Sequence, residues 1–113
     1  MSSRSPKLYV LDILQACDDI LSFTRAMDSA DSLQADRRTF LAVIHSIQVI
    51  GEAARQMPKI FREKHPEIPW RETVALRNVI AHEYFGLDNE IIWDVIQTQI
   101  PTLAEKFRQI NLD

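Results

Sequence analysis

Arg77, Asn78, His82 and Tyr84 interrupt a stretch otherwise used for packing, Arg77-Asn78-Val79-Ile80-Ala81-His82-Glu83-Tyr84-Phe85. At about 100° per residue Asn78 and His82 stand one helical turn apart on a common face, with Arg77 beside that face. Tyr84 joins the group if the helix frays after His82. The set combines a cation that cannot lose its charge, an imidazole that titrates near neutrality, and an amide able to orient either. It suits cleavage of RNA without a metal. A base removes the proton of a ribose 2′-hydroxyl, the oxygen attacks the adjacent phosphorus, and arginine stabilises the charge that develops. Positioned acid–base catalysis contributes roughly 100- to 10,000-fold, and fixed donors aimed at the phosphate contribute a comparable factor. One histidine cannot conveniently serve as both base and acid, so a symmetric dimer bringing a second Arg77 and His82 to a shared groove is expected. A structural reading of the same residues stays open. His82 near a helix C-terminus is stabilised as a cation by the helix dipole, and Glu83 can pair with Arg71 or Lys59 without any catalysis.

The elements that must position these residues are helical. The chain has only two glycines and no Asn-Gly or Asp-Gly hairpin signal. From about Pro6 to Asp28, Tyr9, Val10, Ile13, Cys17, Ile20, Leu21, Thr24 and Met27 recur at three-and-four spacing, which predicts a long amphipathic helix. Three aspartates and two serines between Asp28 and Asp36 predict a reversal. A second helix is expected from about Asp36 to Met57, with Phe40, Val43, Ile44, Ile47, Ile50, Gly51, Ala54 and Met57 facing the core. Gly51 costs that helix about 1 kcal/mol relative to alanine, so another backbone is expected to approach closely there.

Pro58 closes that segment, and Lys59 to Lys64 forms a short basic piece ahead of the proline-containing connection His65 to Trp70. A third helix starts near Pro69, continues through Val74, Leu76, Val79 and Ile80, and ends near His82 to Phe85. Gly86 can stop it, and Asp88 can cap a last helix carrying Ile91, Ile92, Val95, Ile96, Leu103 and Ile110, kinked or broken at Pro101. The expected fold is all-α, an antiparallel four-helix bundle with a short additional helix, formed by residues 1–113 as one domain.

Composition narrows the function classes. The 113 residues are 46% hydrophobic and 26% charged, ordinary values for a globular chain. No apolar run approaches the roughly 20 residues of a membrane span. The N-terminus lacks the pattern of a signal peptide, so a cytoplasmic location is expected. Cys17, the one cysteine, reads as a buried thiol. The histidines show no metal-like spacing, and neither a metal nor another cofactor is expected. His45 reads as a packed or surface residue and His65 as exposed, while Trp70 and Trp93 read as core or interface anchors. Phe85 suits either stacking on a nucleotide or a dimer seam.

The net charge of -3 disfavours a general nucleic-acid binder. Its distribution does not. Residues 1–51 carry five basic and six acidic groups, residues 52–82 six and four, and residues 83–113 two and six. The one basic stretch leads into Arg77 and His82, and Arg55, Lys59, Arg62, Lys64 and Arg71 form a candidate RNA track within it. Glu52, near the apolar stripe of the second helix, is placed either to buttress Arg77 from within the bundle or to point to water.

The pattern R-N-x-x-x-H-x-Y at Arg77, Asn78, His82 and Tyr84, preceded by Ile50-Gly51-Glu52-Ala53-Ala54 and Ile68-Pro69-Trp70 and followed by Phe85-Gly86 and Trp93, resembles the HepT family of HEPN-domain toxins. The resemblance runs from the second helix to Pro101. It implies a HEPN-like fold and a homodimeric, metal-independent endoribonuclease, the toxin of a type VII toxin–antitoxin pair, with both motif copies facing a cleft between subunits. Arg77 and His82 would be catalytic and Asn78 supporting, with RNA as substrate. Tyr84 would receive AMP from ATP through the partner antitoxin, an MntA-type nucleotidyltransferase, and the added bulk and negative charge would repel RNA. The alternative is a helical module that binds nucleotide or partner without catalysis.

Overall fold

A computed structural model describes residues 4–83 and 89–112, with side chains described for 4–78 and 89–112. Helix α1 (Pro6–Phe23) begins where Ser5 Oγ accepts the Lys7 N–H at 3.2 Å and Pro6 fills a first-turn position. It buries Tyr9, Val10, Ile13, Ala16, Cys17 and Ile20. The helix stops five residues short of the expected Asp28. Thr24 takes the C-cap position, its hydroxyl donating to the Ile20 carbonyl at 2.8 Å, and a turn follows.

The expected reversal contains a short helix, α2 (Ala30–Ala35). Ser29 and Ser32 exchange reciprocal backbone-to-side-chain hydrogen bonds, each 3.1 Å, in a capping box. Serines and aspartates that read as turn formers here serve as caps, and Leu33 is driven fully into the core. Helix α3 (Arg37–Gln56) starts at Asp36, whose carboxylate accepts from both the Thr39 N–H and its hydroxyl. All eight residues expected on its inner face are buried, from Phe40 to Met57. Helix α4 (Lys59–Lys64) is the short basic piece.

Helix α5 (Trp70–Glu83) begins one residue later than expected. Pro69 stands just outside it, offering its carbonyl to the Thr73 N–H at 2.9 Å and the Thr73 hydroxyl at 2.7 Å. The anchor role expected of Trp70 holds. Its ring meets Phe107 edge-on at 5.5 Å between centroids and Phe61 at 6.2 Å, and its indole N–H donates to the His65 carbonyl at 2.9 Å. Gly86 and Asp88, the expected stop and cap, lie outside the described residues.

The last segment runs as α6 (Asn89–Asp94), a π-helical stretch Val95–Gln99, and α7 (Ile100–Arg108). Pro101 therefore does not break it and stands in the first turn of α7, directly after the π-helical stretch. A proline inside an α-helix deprives the carbonyl four residues back of its donor and crowds it. Here the wider register lets the Ile100 N–H reach the Val95 carbonyl. The Thr98 and Thr102 hydroxyls donate to the Asp94 and Thr98 carbonyls. Ile91, expected inside, is 40% exposed, while Ile92, Val95 and Ile96 are buried.

Helix α3 packs on α1 and α5, and α7 packs on α1. Ile13, Ile20, Leu33, Ile50, Leu76, Ile96 and Phe107 are among the fully buried side chains of one core cluster. Each contributes about 1.5–3 kcal/mol by leaving water. Arg108 of α7 is ion-paired to Asp18 of α1. The described residues form an all-helical, HEPN-like bundle without strands, in which two short helices rather than one accompany the long elements. Among them no helix is long and apolar enough to cross a membrane.

Candidate active site

Arg77 sits where α5 crosses α3, and Gly51 is what it crosses. A Cβ built on Gly51 would stand 2.6 Å from Arg77 Cγ and 3.0 Å from the Arg77 backbone nitrogen. The expected close approach thus occurs, and it is made by the residue with the strongest chemical interest. The stem of Arg77 is pressed against the α3 backbone while the residue as a whole stays exposed. Its charged end is left at the surface.

That end lines an open groove of about 700 Å³, together with Glu52, His45, Gln48, Gln56 and Tyr9. The walls are tied to one another. Arg4 pairs with Asp12 at 2.8 Å and lies over the Tyr9 ring, 4.9 Å from its centroid. The Tyr9 hydroxyl donates to Gln56 Oε1 at 3.1 Å, the Gln56 amide N–H donates to Glu52 Oε2 at 3.4 Å, and Arg55 Nε donates to the same oxygen at 2.8 Å. The hydrogen bond from Arg55 is the main reason the Glu52 carboxyl is held below its ordinary range. Burial opposes it less strongly, and the Gln56 bond and the positive charges of Arg55 and Arg77 add smaller downward effects. Glu52 therefore stays an anion facing Arg77 across the groove. It acts on Arg77 through the field, since among the described residues Arg77 makes no ion pair.

Asn78 is exposed on α5 next to Arg77. The α5 backbone continues through Glu83, so residues 78 and 82 belong to one uninterrupted helix one turn apart. The side chain of His82, and Tyr84 and Phe85 entirely, lie outside the described residues. The basic set divides. Arg55 is committed to Glu52 at 2.7 Å, whereas Lys59, Arg62 and Arg71 line a second groove near Trp70, and Lys64 is exposed on α4 away from both. His45 is at the surface, as expected, yet it borders the Arg77 groove. The part played by His45, Gln48 and Gln56 went unread in the sequence. Its signal was present as a polar stripe at 45, 48, 52 and 56, the spacing of one helix face.

The Cys17 thiol is pushed up to about 12, chiefly by burial. It is no nucleophile at neutral pH.

Fold and groove together define a small helical-bundle protein that exposes an arginine and a polar cleft on adjoining helices. The family profile described as Ribonuclease HepT-like matches residues 13–110. A Thermococcus cleftensis protein named "Probable ribonuclease HepT" is 41% identical over 108 residues, covering 96% of this chain and 97% of its own. A Methanocaldococcus jannaschii protein named as an RNase is 36% identical over 106 residues, covering 94% and 96%. A Caldanaerobacter subterraneus protein, also named as an RNase, is 36% identical over 107 residues, covering 95% of each. No solved structure gives a significant match. The chain belongs to the HepT-like ribonuclease family, and its enzyme class is ribonuclease.

Proposed function

We propose that this protein is a metal-independent endoribonuclease and the toxin of a toxin–antitoxin pair, acting as a homodimer through Arg77 and His82. The observation that carries the reading is the seating of Arg77. Its stem is fixed against Gly51 and its guanidinium borders a polar groove, so a permanent cation is presented at a set position. Fixed charge of this kind favours the phosphorane-like transition state more than the ground state and needs little reorganisation. In the reaction, His82 of one protomer takes the 2′-hydroxyl proton and the oxygen attacks phosphorus. The 5′-oxygen then leaves with a proton from the second His82, giving a 2′,3′-cyclic phosphate and a 5′-hydroxyl end. Asn78 orients these groups, and the Glu52 carboxylate steadies Arg77 through its field.

Tyr84, in this reading, is the control point. Transfer of AMP from ATP by a partner nucleotidyltransferase forms a phosphodiester to the tyrosine oxygen and releases pyrophosphate. The negative charge then sits beside a site built for RNA phosphate.

The decisive comparison is Arg77→Ala and His82→Ala against wild type, with circular dichroism and oligomeric state as controls. Each substitution is expected to lower RNA cleavage by at least about 100-fold. Folded, dimeric variants that still cut RNA would remove Arg77 and His82 from the catalytic assignment, and a wild type that cuts no RNA would leave a non-catalytic binding module as the better reading. For Tyr84, intact mass after incubation with the partner and ATP should rise by one AMP in wild type and stay unchanged in Tyr84→Phe.

A further inference from the structure

The second groove differs in kind from the first. About 550 Å³ in volume, it lies between α4 and the start of α5 and is lined by Lys59, Arg62, Glu63, Trp70, Arg71 and Val74. Three cations share it with one carboxylate. None of the three makes an ion pair among the described residues, whereas Arg4, Arg55 and Arg108 each have a carboxylate partner. Arg62 Nε is buried without a hydrogen-bond acceptor. Gathering three cations around one groove is costly to fold because they repel one another, and here it occurs in a chain whose acidic residues outnumber its basic ones, 16 to 13.

The groove also lines up with Asn78, the neighbour of Arg77 on α5. Arg71 and Asn78 are seven residues apart on one helix, which places them within about 20° of a common face and about 10 Å apart along the axis. Val74, a groove residue, lies between them on that face. The half-buried Trp70, its N–H spent on His65 and its rings packed on Phe61 and Phe107, forms a stiff apolar wall. A positive groove with an aromatic wall beside it offers one strand both phosphate partners and a surface for its bases.

We propose that Lys59, Arg62 and Arg71 form a docking site for the phosphodiester backbone of single-stranded RNA, which they hold a few nucleotides along the strand from the bond placed at Arg77. The assignment of the scissile bond rests on the ribonuclease reading above. The docking itself is tested without cleavage, with a short fluorescein-labelled 2′-O-methyl oligouridylate that lacks the attacking hydroxyl. Its anisotropy is titrated at several salt concentrations.

For K59Q/R62Q/R71Q the plot of log affinity against log salt is expected to become shallower by about 2, at about 0.7 per lost phosphate contact on a single strand, with affinity at low salt down roughly tenfold or more. R37Q/R38Q, which removes two exposed cations from the start of α3, should behave as wild type. If circular dichroism shows that the triple variant is misfolded, K59Q/R71Q carries the measurement, because both of its side chains are exposed and its slope should change by about 1.4. Wild-type slope and affinity in a folded groove variant, or an equal loss in R37Q/R38Q, overturns the proposal. A wild-type protein that binds the probe through the groove but cuts no unmodified RNA would sink the ribonuclease reading and leave the docking site standing.

Discussion

Gly51 and Arg77 touch through backbone and stem: a methyl group on Gly51 would come within 2.6 Å of Arg77 Cγ. Two opposing effects meet at this position. Alanine is favoured over glycine in a helix interior by about 1 kcal/mol, but overpacking a close contact costs about 1–3 kcal/mol. The obstruction includes the Arg77 backbone nitrogen at 3.0 Å, which cannot swing aside as a flexible side-chain tip would. Gly51→Ala is therefore expected to be net destabilising by about 1 kcal/mol, read as a lower melting temperature, and to reduce RNA cleavage beyond that loss. In an Arg77→Ala background the Cγ contact is gone and the cost of Gly51→Ala should shrink. Additive effects in that double-mutant cycle would refute the coupling.

Glu52 supplies a prediction about acid. Its folded pKa is lowered, first by the Arg55 hydrogen bond, so its linked stability is fully present above the ordinary carboxylate range, about 4.3, and is lost as pH falls through the folded value. Carboxyl-carbon NMR should show Glu52 titrating below that range. Arg55→Ala should raise the midpoint clearly, and Arg77→Ala should raise it slightly. No response to Arg77→Ala would mean that Glu52 does not feel the arginine it faces.

Much of this was legible in residue order because periodicity reports burial directly. The α3 stripe from Phe40 to Met57 appears in the core residue for residue, and Gly51 announced a close contact by its own cost. What escaped turns on local bonding that residue type alone leaves undecided. The 28–36 segment read as a turn because short polar side chains suit turns and helix caps alike, and the reciprocal bonding of Ser29 and Ser32 decides between them. Pro101 could kink or break a helix, and the π-helical stretch before it provides a third course. The commitment of Arg55, by contrast, was open to reading in residue order, since Glu52 stands three residues before it on the predicted second helix.

Trp70 joins α4, α5 and α7, and its two functions separate by substitution. Trp70→Phe keeps a ring against Phe107 but loses the 2.9 Å bond to the His65 carbonyl, an expected loss of about 1 kcal/mol. Trp70→Ala removes the ring as well and should cost about 3 kcal/mol. Urea unfolding at constant slope measures both. Equal losses would show that the ring packing carries no weight.

Cys17 gives a prediction at the alkaline end. Its folded pKa is about 12 against an unfolded value near 9.0, so the thiol's linked stability is complete below 9.0 and declines as pH rises through that window. Native protein should resist thiol reagents at neutral pH and react only as fast as it opens. Urea midpoints for wild type should fall above pH 9.0, and Cys17→Ala should remove that portion of the fall. Rapid labelling of folded protein would contradict the buried assignment.

The unbroken course of α5 has a consequence for the substrate. Arg71 and Asn78, the neighbour of Arg77, ride on one rod, about 10 Å apart along its axis and on nearly one face, with no hinge between them. The helix is then a ruler. Oligonucleotides too short to span from Arg71 to the site at Asn78 and Arg77 should be cut slowly, rates should rise over a narrow interval of added length, and further lengthening within a protomer's reach should add nothing. The threshold length would be set by the pitch of a helix rather than by any base the enzyme reads.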